Sequence, residues 1–98
     1  MEAALRALAD ESRRTMLETL TGGPATAGEL AALLPIARPG VSRHLRVLRD
    51  AGLVQVREEG PRRLYSLEPG PLTELSAWLE NRLDALDTEI RRRRRRTR

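Results

Sequence analysis

The spacing of apolar residues changes along this chain, and each change marks an element. Residues 3–9 (AALRALA) place Ala4, Leu5 and Leu8 on one side of a short helix. Asp10 suits the N-cap of a second helix, residues 11–20, with Met16, Leu17 and Leu20 facing inward. Gly22-Gly23-Pro24 breaks it. Thr26-Ala27-Gly28-Glu29 has the spacing of a capping box, in which hydroxyl and carboxylate each satisfy a backbone donor of the helix start. The helix it opens runs through Leu30, Leu33 and Leu34, and Pro35 stops it.

The stretch 38–54 has two faces. Val41, Leu45 and Leu48 recur at i, i+4 and i+7 and form one buried stripe. At about 100° per residue, Pro39, Ser42, Arg43, Arg46 and Asp50 fall roughly opposite. Aliphatics on one side with arginines and a serine on the other suit a helix held against DNA. Arginine reads guanine edges or grips phosphate, and serine hydrogen-bonds to either. Pro39 sits in the first turn, where a missing N–H costs nothing. Gly52 ends the helix as a left-handed residue, with Leu53 as the apolar contact after it. This helix and the one before it are separated by a tight turn, as in a helix-turn-helix.

After Gly52 the period becomes two. Residues 53–58 and 62–67 alternate around Val54, Val56 and Leu64, with Glu59-Gly60-Pro61 between them, which predicts a β-hairpin. Its charged residues gather at the tip, so it reads as a wing. Pro69-Gly70-Pro71 then separates it from a last helix. There Leu72, Leu75, Leu79, Leu83, Leu86 and Ile90 step by 3, 4, 4, 3 and 4, with Trp78 beside the seam. One small domain needs only part of so long a stripe. The remainder, with Leu5 and Leu8 of the first helix, is expected to form a dimer interface.

Composition changes the picture in three ways. There is no cysteine, which excludes disulfides and zinc-thiolate sites. The longest uncharged run, residues 19–28, is too short and polar to span a bilayer, so the chain reads as soluble and cytoplasmic, without membrane contact. The net charge of +4 is an uneven average. Seven of the 18 basic residues lie in 91–98, so residues 1–90 hold 11 arginines against 14 acidic residues, a net −3. Such a like-charge block reads first as a disordered, solvated end. It also suits sequence-independent DNA affinity through counterion release, or contact with anionic lipid. The chain thus divides into a DNA-binding and dimerisation domain, 1–90, and an Arg-rich disordered tail, 91–98. Glu29, Glu58 and Glu59 have no nucleophile, phosphate loop or metal set beside them, so neither catalytic residues nor a cofactor are expected. Asp10, Arg13 and Arg14 read as a helix cap with an ion pair inside the domain.

The order of elements and five sequence segments resemble the ArsR/SmtB family of bacterial winged helix-turn-helix repressors. The segments are Leu8-Ala9-Asp10-Glu11-Ser12-Arg13-Arg14, Gly28-Glu29-Leu30-Ala31, Val41-Ser42-Arg43-His44-Leu45-Arg46-Val47-Leu48, Ala51-Gly52-Leu53-Val54 and Arg62-Arg63-Leu64-Tyr65-Ser66-Leu67. The likeness covers residues 2 to about 90. It implies a mainly α fold with a small hairpin, and a homodimer that represses by binding an inverted repeat in double-stranded promoter DNA. On this likeness Ser42 and Arg43 are the base-edge candidates, Arg38 and Arg46 hold phosphates, and Arg62 and Arg63 serve the wing.

The departures from the family bear on signalling. Where metal sensors of the family carry Cys-x-Cys, this chain has Leu30-Ala31-Ala32-Leu33-Leu34, and residues 72–90 hold carboxylates but no histidine. Neither familiar metal site is expected. Ala37 replaces the usual Ser or Thr cap before the DNA-reading helix. His44, the one histidine, lies at the border of the buried stripe and reads as structural or DNA-flanking. Two other functions fit the same elements. One is a metal- or ligand-responsive regulator whose sensing site is atypical or lies on a co-regulator protein. The other is a protein-interaction module that uses the winged fold without specific DNA.

Overall fold

Seven elements follow one another in the computed structural model, which describes residues 1–96: α1 (Glu2–Leu8), α2 (Glu11–Thr21), α3 (Ala27–Leu33), α4 (Arg38–Asp50), β1 (Val54–Glu59), β2 (Arg62–Leu67) and α5 (Gly70–Arg96). The core is aliphatic. Met16, Leu17 and Leu20 of α2, Leu30 of α3 and Val41, Leu45 and Leu48 of α4 are buried together, and Leu53 and Val54 close it from the hairpin side.

Caps account for three of the helix ends. Asp10 accepts from the Arg13 N–H at 3.0 Å and starts α2. Thr26 accepts from the Glu29 N–H at 3.1 Å, while the Glu29 carboxylate accepts from the Thr26 N–H at 3.2 Å, so the capping box is complete. Leu34 is extended, as the residue before a proline prefers, so α3 ends a residue earlier than the apolar spacing suggests. Gly52 has φ +74°, and the Leu53 N–H donates to the Leu48 carbonyl at 2.9 Å. That six-to-one bond is the Schellman closure of α4.

The two capping carboxylates are held below the usual carboxylate range. For Glu29 the cause is first the Thr26 backbone N–H and then the Thr26 hydroxyl; for Asp10 it is the Arg13 backbone N–H. A carboxyl depressed in the fold contributes stability that is present above its unfolded pKa and is lost as pH falls through its folded pKa. Acidification below the carboxylate range should therefore weaken the starts of α2 and α3. Thr26→Ala should cost about 1 kcal/mol at neutral pH. Glu29→Gln keeps an acceptor without a titrating proton, so its stability should fall less steeply with acid than the wild type's. Thermal melts across an acid series check both. Parallel pH curves for wild type and Glu29→Gln would sink the assignment.

The hairpin is antiparallel, in register from Val54 opposite Leu67 to Glu59 opposite Arg62. The strand reaches one residue further than expected and leaves a two-residue turn. Gly60 (φ +61°) takes its first position and Pro61 its second. The wing is also stitched to the body. Ala25 and Tyr65 exchange backbone hydrogen bonds of 3.0 and 2.8 Å, an isolated bridge that fixes the wing beside the start of α3.

One expectation needs correction, and two leucines lie outside the core. In α1 the buried residues are Ala4 and Ala7. Small alanines let α1 lie close to the body, which leaves Leu5 48% exposed and Leu8 half-buried against the core. Leu33 of α3 points outward and is 63% exposed. The correction concerns the end of the chain. α5 does not stop at Ile90 but runs to Arg96, so the residues expected to be disordered are helical as far as the structure describes them. Ion pairs one turn apart, Asp87–Arg91 at 2.9 Å and Glu89–Arg93 at 3.4 Å, join the basic end to the helix. Cations at a helix C-terminus also offset the exposed carbonyl charge. Thr97 and Arg98 lie outside the described residues.

α5 barely belongs to its own domain. Leu72 packs on the core and Leu75 is half-buried, but Trp78, Leu79, Leu83, Leu86 and Ile90 are exposed. The radius of gyration is 18.2 Å and the longest extent 67 Å. A compact chain of this length would have a radius of about 13 Å. Beyond Leu75 the apolar seam therefore projects from the domain, and among the described residues its own chain leaves it exposed.

Candidate DNA-reading face

α4 carries the face. Its buried stripe locks Val41, Leu45 and Leu48 into the core and leaves Ser42, Arg43, Arg46 and Val47 exposed on the outside. Ala37 makes no side-chain cap, as expected, so the first N–H groups of α4 have no side-chain acceptor from that position.

Six of the seven expected DNA contacts fall into two groups, and Arg46 stands exposed on α4 outside both. Arg38, Ser42, Arg62 and Arg63 line one cleft of about 440 Å³ between the start of α3, the start of α4 and the wing. Thr26, Gly28 and Tyr65 complete its walls. The Arg38 guanidinium passes over Gly28, where a β-carbon would sit 3.6 Å from it. Arg62 reaches across to Glu29, Nη2 to Oε1 at 3.4 Å, which pins the wing to the α3 cap and offsets part of its charge. The Ala25–Tyr65 bridge is what brings these pieces together, and a pairing across forty residues leaves no local trace in the sequence.

Arg43 and His44 lie on the other flank of α4, around a shallow depression with Arg13, Gly40 and Val47. His44 is half-buried. Its Nδ1 lies 3.3 Å from the Arg13 guanidinium and 3.9 Å from the Asp10 carboxylate. The structure thus places His44 at the packing seam between α2 and α4. Arg13 does not turn to Asp10 as expected. It donates to the carbonyls of Ala7 (2.7 Å) and Arg6 (3.0 Å), while Arg14 donates to that of Leu8 (2.8 Å). These two arginines tie down the C-terminal end of α1, whose open carbonyls carry partial negative charge.

The site offers hydrogen-bond donors and fixed positive charge, with no nucleophile placed against a base. Among the described residues no three His, Cys, Asp or Glu side chains gather where they could hold a metal ion, and no helix is long and apolar enough to cross a membrane.

Comparison with known proteins agrees with this fold. Residues 8–57 match a family model described as a helix-turn-helix domain. The chain is 48% identical over 79 residues to the HTH-type transcriptional regulator Rv2034 of Mycobacterium tuberculosis, covering 81% of this chain and 74% of the relative. It is 31% identical over 90 residues to the transcriptional repressor SdpR of Bacillus subtilis, covering 92% of this chain and all of the relative. Among solved structures, the ArsR family transcriptional regulator RHA00566 superimposes with a TM-score of 0.80 at 34% identity, over 88% of this chain and 89% of that one. A homodimeric winged helix-turn-helix DNA-binding domain, Mb0332 from Mycobacterium bovis, does so with 0.69 at 26% identity, over 85% and 77%.

Proposed function

This chain belongs to the ArsR/SmtB family of winged helix-turn-helix transcriptional regulators, and from that footing we propose that it is a homodimeric repressor that acts in the cytoplasm on an inverted-repeat operator. The observation that carries the reading is the outer face of α4, with Ser42, Arg43 and Arg46 exposed over a fully buried aliphatic stripe. Each α4 enters one major groove, with half-sites about one helical turn apart. Arg43 and Ser42 read base edges. Arg38 and Arg46 hold phosphates, Arg62 and Arg63 extend the grip along the wing, and His44 flanks the contact while bracing α4 on α2. The exposed α5 seam supports the dimer, as does the homodimeric state of the similar Mycobacterium bovis domain. The repressor name of the full-length Bacillus subtilis relative supports the direction of control. Occupancy of the operator then excludes polymerase from the promoter.

Selection of binding sites from random DNA provides the operator for the test. Arg43→Ala should cost about 1–3 kcal/mol on that operator and relax the preference at its contacted base. Arg46→Ala should weaken all sequences alike and reduce the salt slope by about one. Wild-type behaviour of both variants would overturn the placement of α4 in the groove.

A further inference from the structure

We propose that the end of α5, residues 91–96, is a second DNA contact that grips phosphates without regard to sequence; this rests on the DNA-binding reading above. Six consecutive arginines continue the helix beyond Ile90, the last residue of the apolar seam. At about 100° per residue they surround the helix on every side. A ring of charge has no preferred orientation, which suits a regular polyanion better than a shaped pocket. Nothing apolar interrupts the run, so it presents no face for insertion into a bilayer.

The charge balance points the same way. Residues 1–90 are net −3, so the surplus positive charge of the protein lies in this end. Two nearby carboxylates, Asp87 and Glu89, already pair with Arg91 and Arg93 within the same helix. Like charges remain one turn apart, Arg91 with Arg95 and Arg92 with Arg96, and they repel. Phosphates relieve that repulsion, and double-stranded DNA supplies one every ~1.7 Å of its axis. The α5 of a second copy carries five carboxylates, of which Asp87 and Glu89 are already paired within their own helix, and the other three, Glu74, Glu80 and Asp84, are scattered along it.

The test uses the full chain and the triple variant Arg92→Gln, Arg95→Gln, Arg96→Gln. Glutamine keeps good helix propensity, and circular dichroism confirms the helix content. Binding to a random-sequence duplex and to the selected operator is titrated in rising NaCl. The slope of log affinity against log salt should become shallower by about 2–3 per protomer. Affinities for both duplexes should fall by the same factor, so that the preference for operator is unchanged. Unchanged slopes overturn the proposal. So does a variant with normal DNA slopes but a weakened dimer in sedimentation, which would assign the arginines to the second copy. Loss of binding to phosphatidylserine vesicles with normal DNA slopes would assign them to lipid. A wild type with no operator preference would instead sink the repressor reading, whatever the tail does.

Discussion

Leu83→Arg should convert the protein from dimer to monomer in sedimentation and abolish tight operator binding. Leu83 is 63% exposed on α5, so the substitution disturbs no core contact of its own domain. In a two-fold dimer each substitution occurs twice. Burying a leucine is worth about 1.5–3 kcal/mol, so the interface loses roughly double that, before the cost of bringing two guanidinium groups into an apolar seam. A monomer reaches one half-site only and forfeits the gain from joining two. The helix content of the monomer should stay near wild type, because α2, α3 and α4 keep their core. An unaltered dimer would remove α5 from the interface.

The second large effect is on stability. Leu45→Ala should destabilise the domain by about 2–5 kcal/mol, measured by urea unfolding. Leu45 is 1% exposed, and its loss opens a cavity beneath the DNA-reading face. Leu33→Ala on neighbouring α3 should change stability by less than about 0.5 kcal/mol, because that side chain already lies in solvent. Both leucines come from apolar runs of similar appearance, so the contrast tests burial rather than composition. Equal losses would overturn the orientation of α3.

Which parts of this molecule are legible in its sequence follows from the range of the forces involved. Helices α2, α3 and α4 and the hairpin are written in local terms. Asp10, Thr26, Glu29, Gly52 and Gly60 mark their ends, and the period of the apolar residues marks their faces. The face of α1 is hidden from such a reading because Ala7 buries little area and so leaves a weak signal, while the larger Leu5 is exposed. The outward side of Leu33 is not legible either, because Leu30, Leu33 and Leu34 stand close together in sequence and α3 buries only Leu30. The end of α5 departs from expectation because the repulsion within a like-charge run is partly offset here by two carboxylates upstream. The exposed arginines of α4 are readable from helical geometry alone. The partners of His44 are not, since Arg13 lies 31 residues away and reaches it only once α2 and α4 pack.

The unclothed seam of α5 also has a consequence for gene control in the cell. If the dimer is the species that binds DNA, its supply follows the square of chain concentration wherever monomer predominates. Halving the protein then leaves roughly a quarter of the dimer. A promoter under such a regulator responds to a threshold in protein abundance instead of to its simple amount. The tightness of one helix–helix contact sets where that threshold lies.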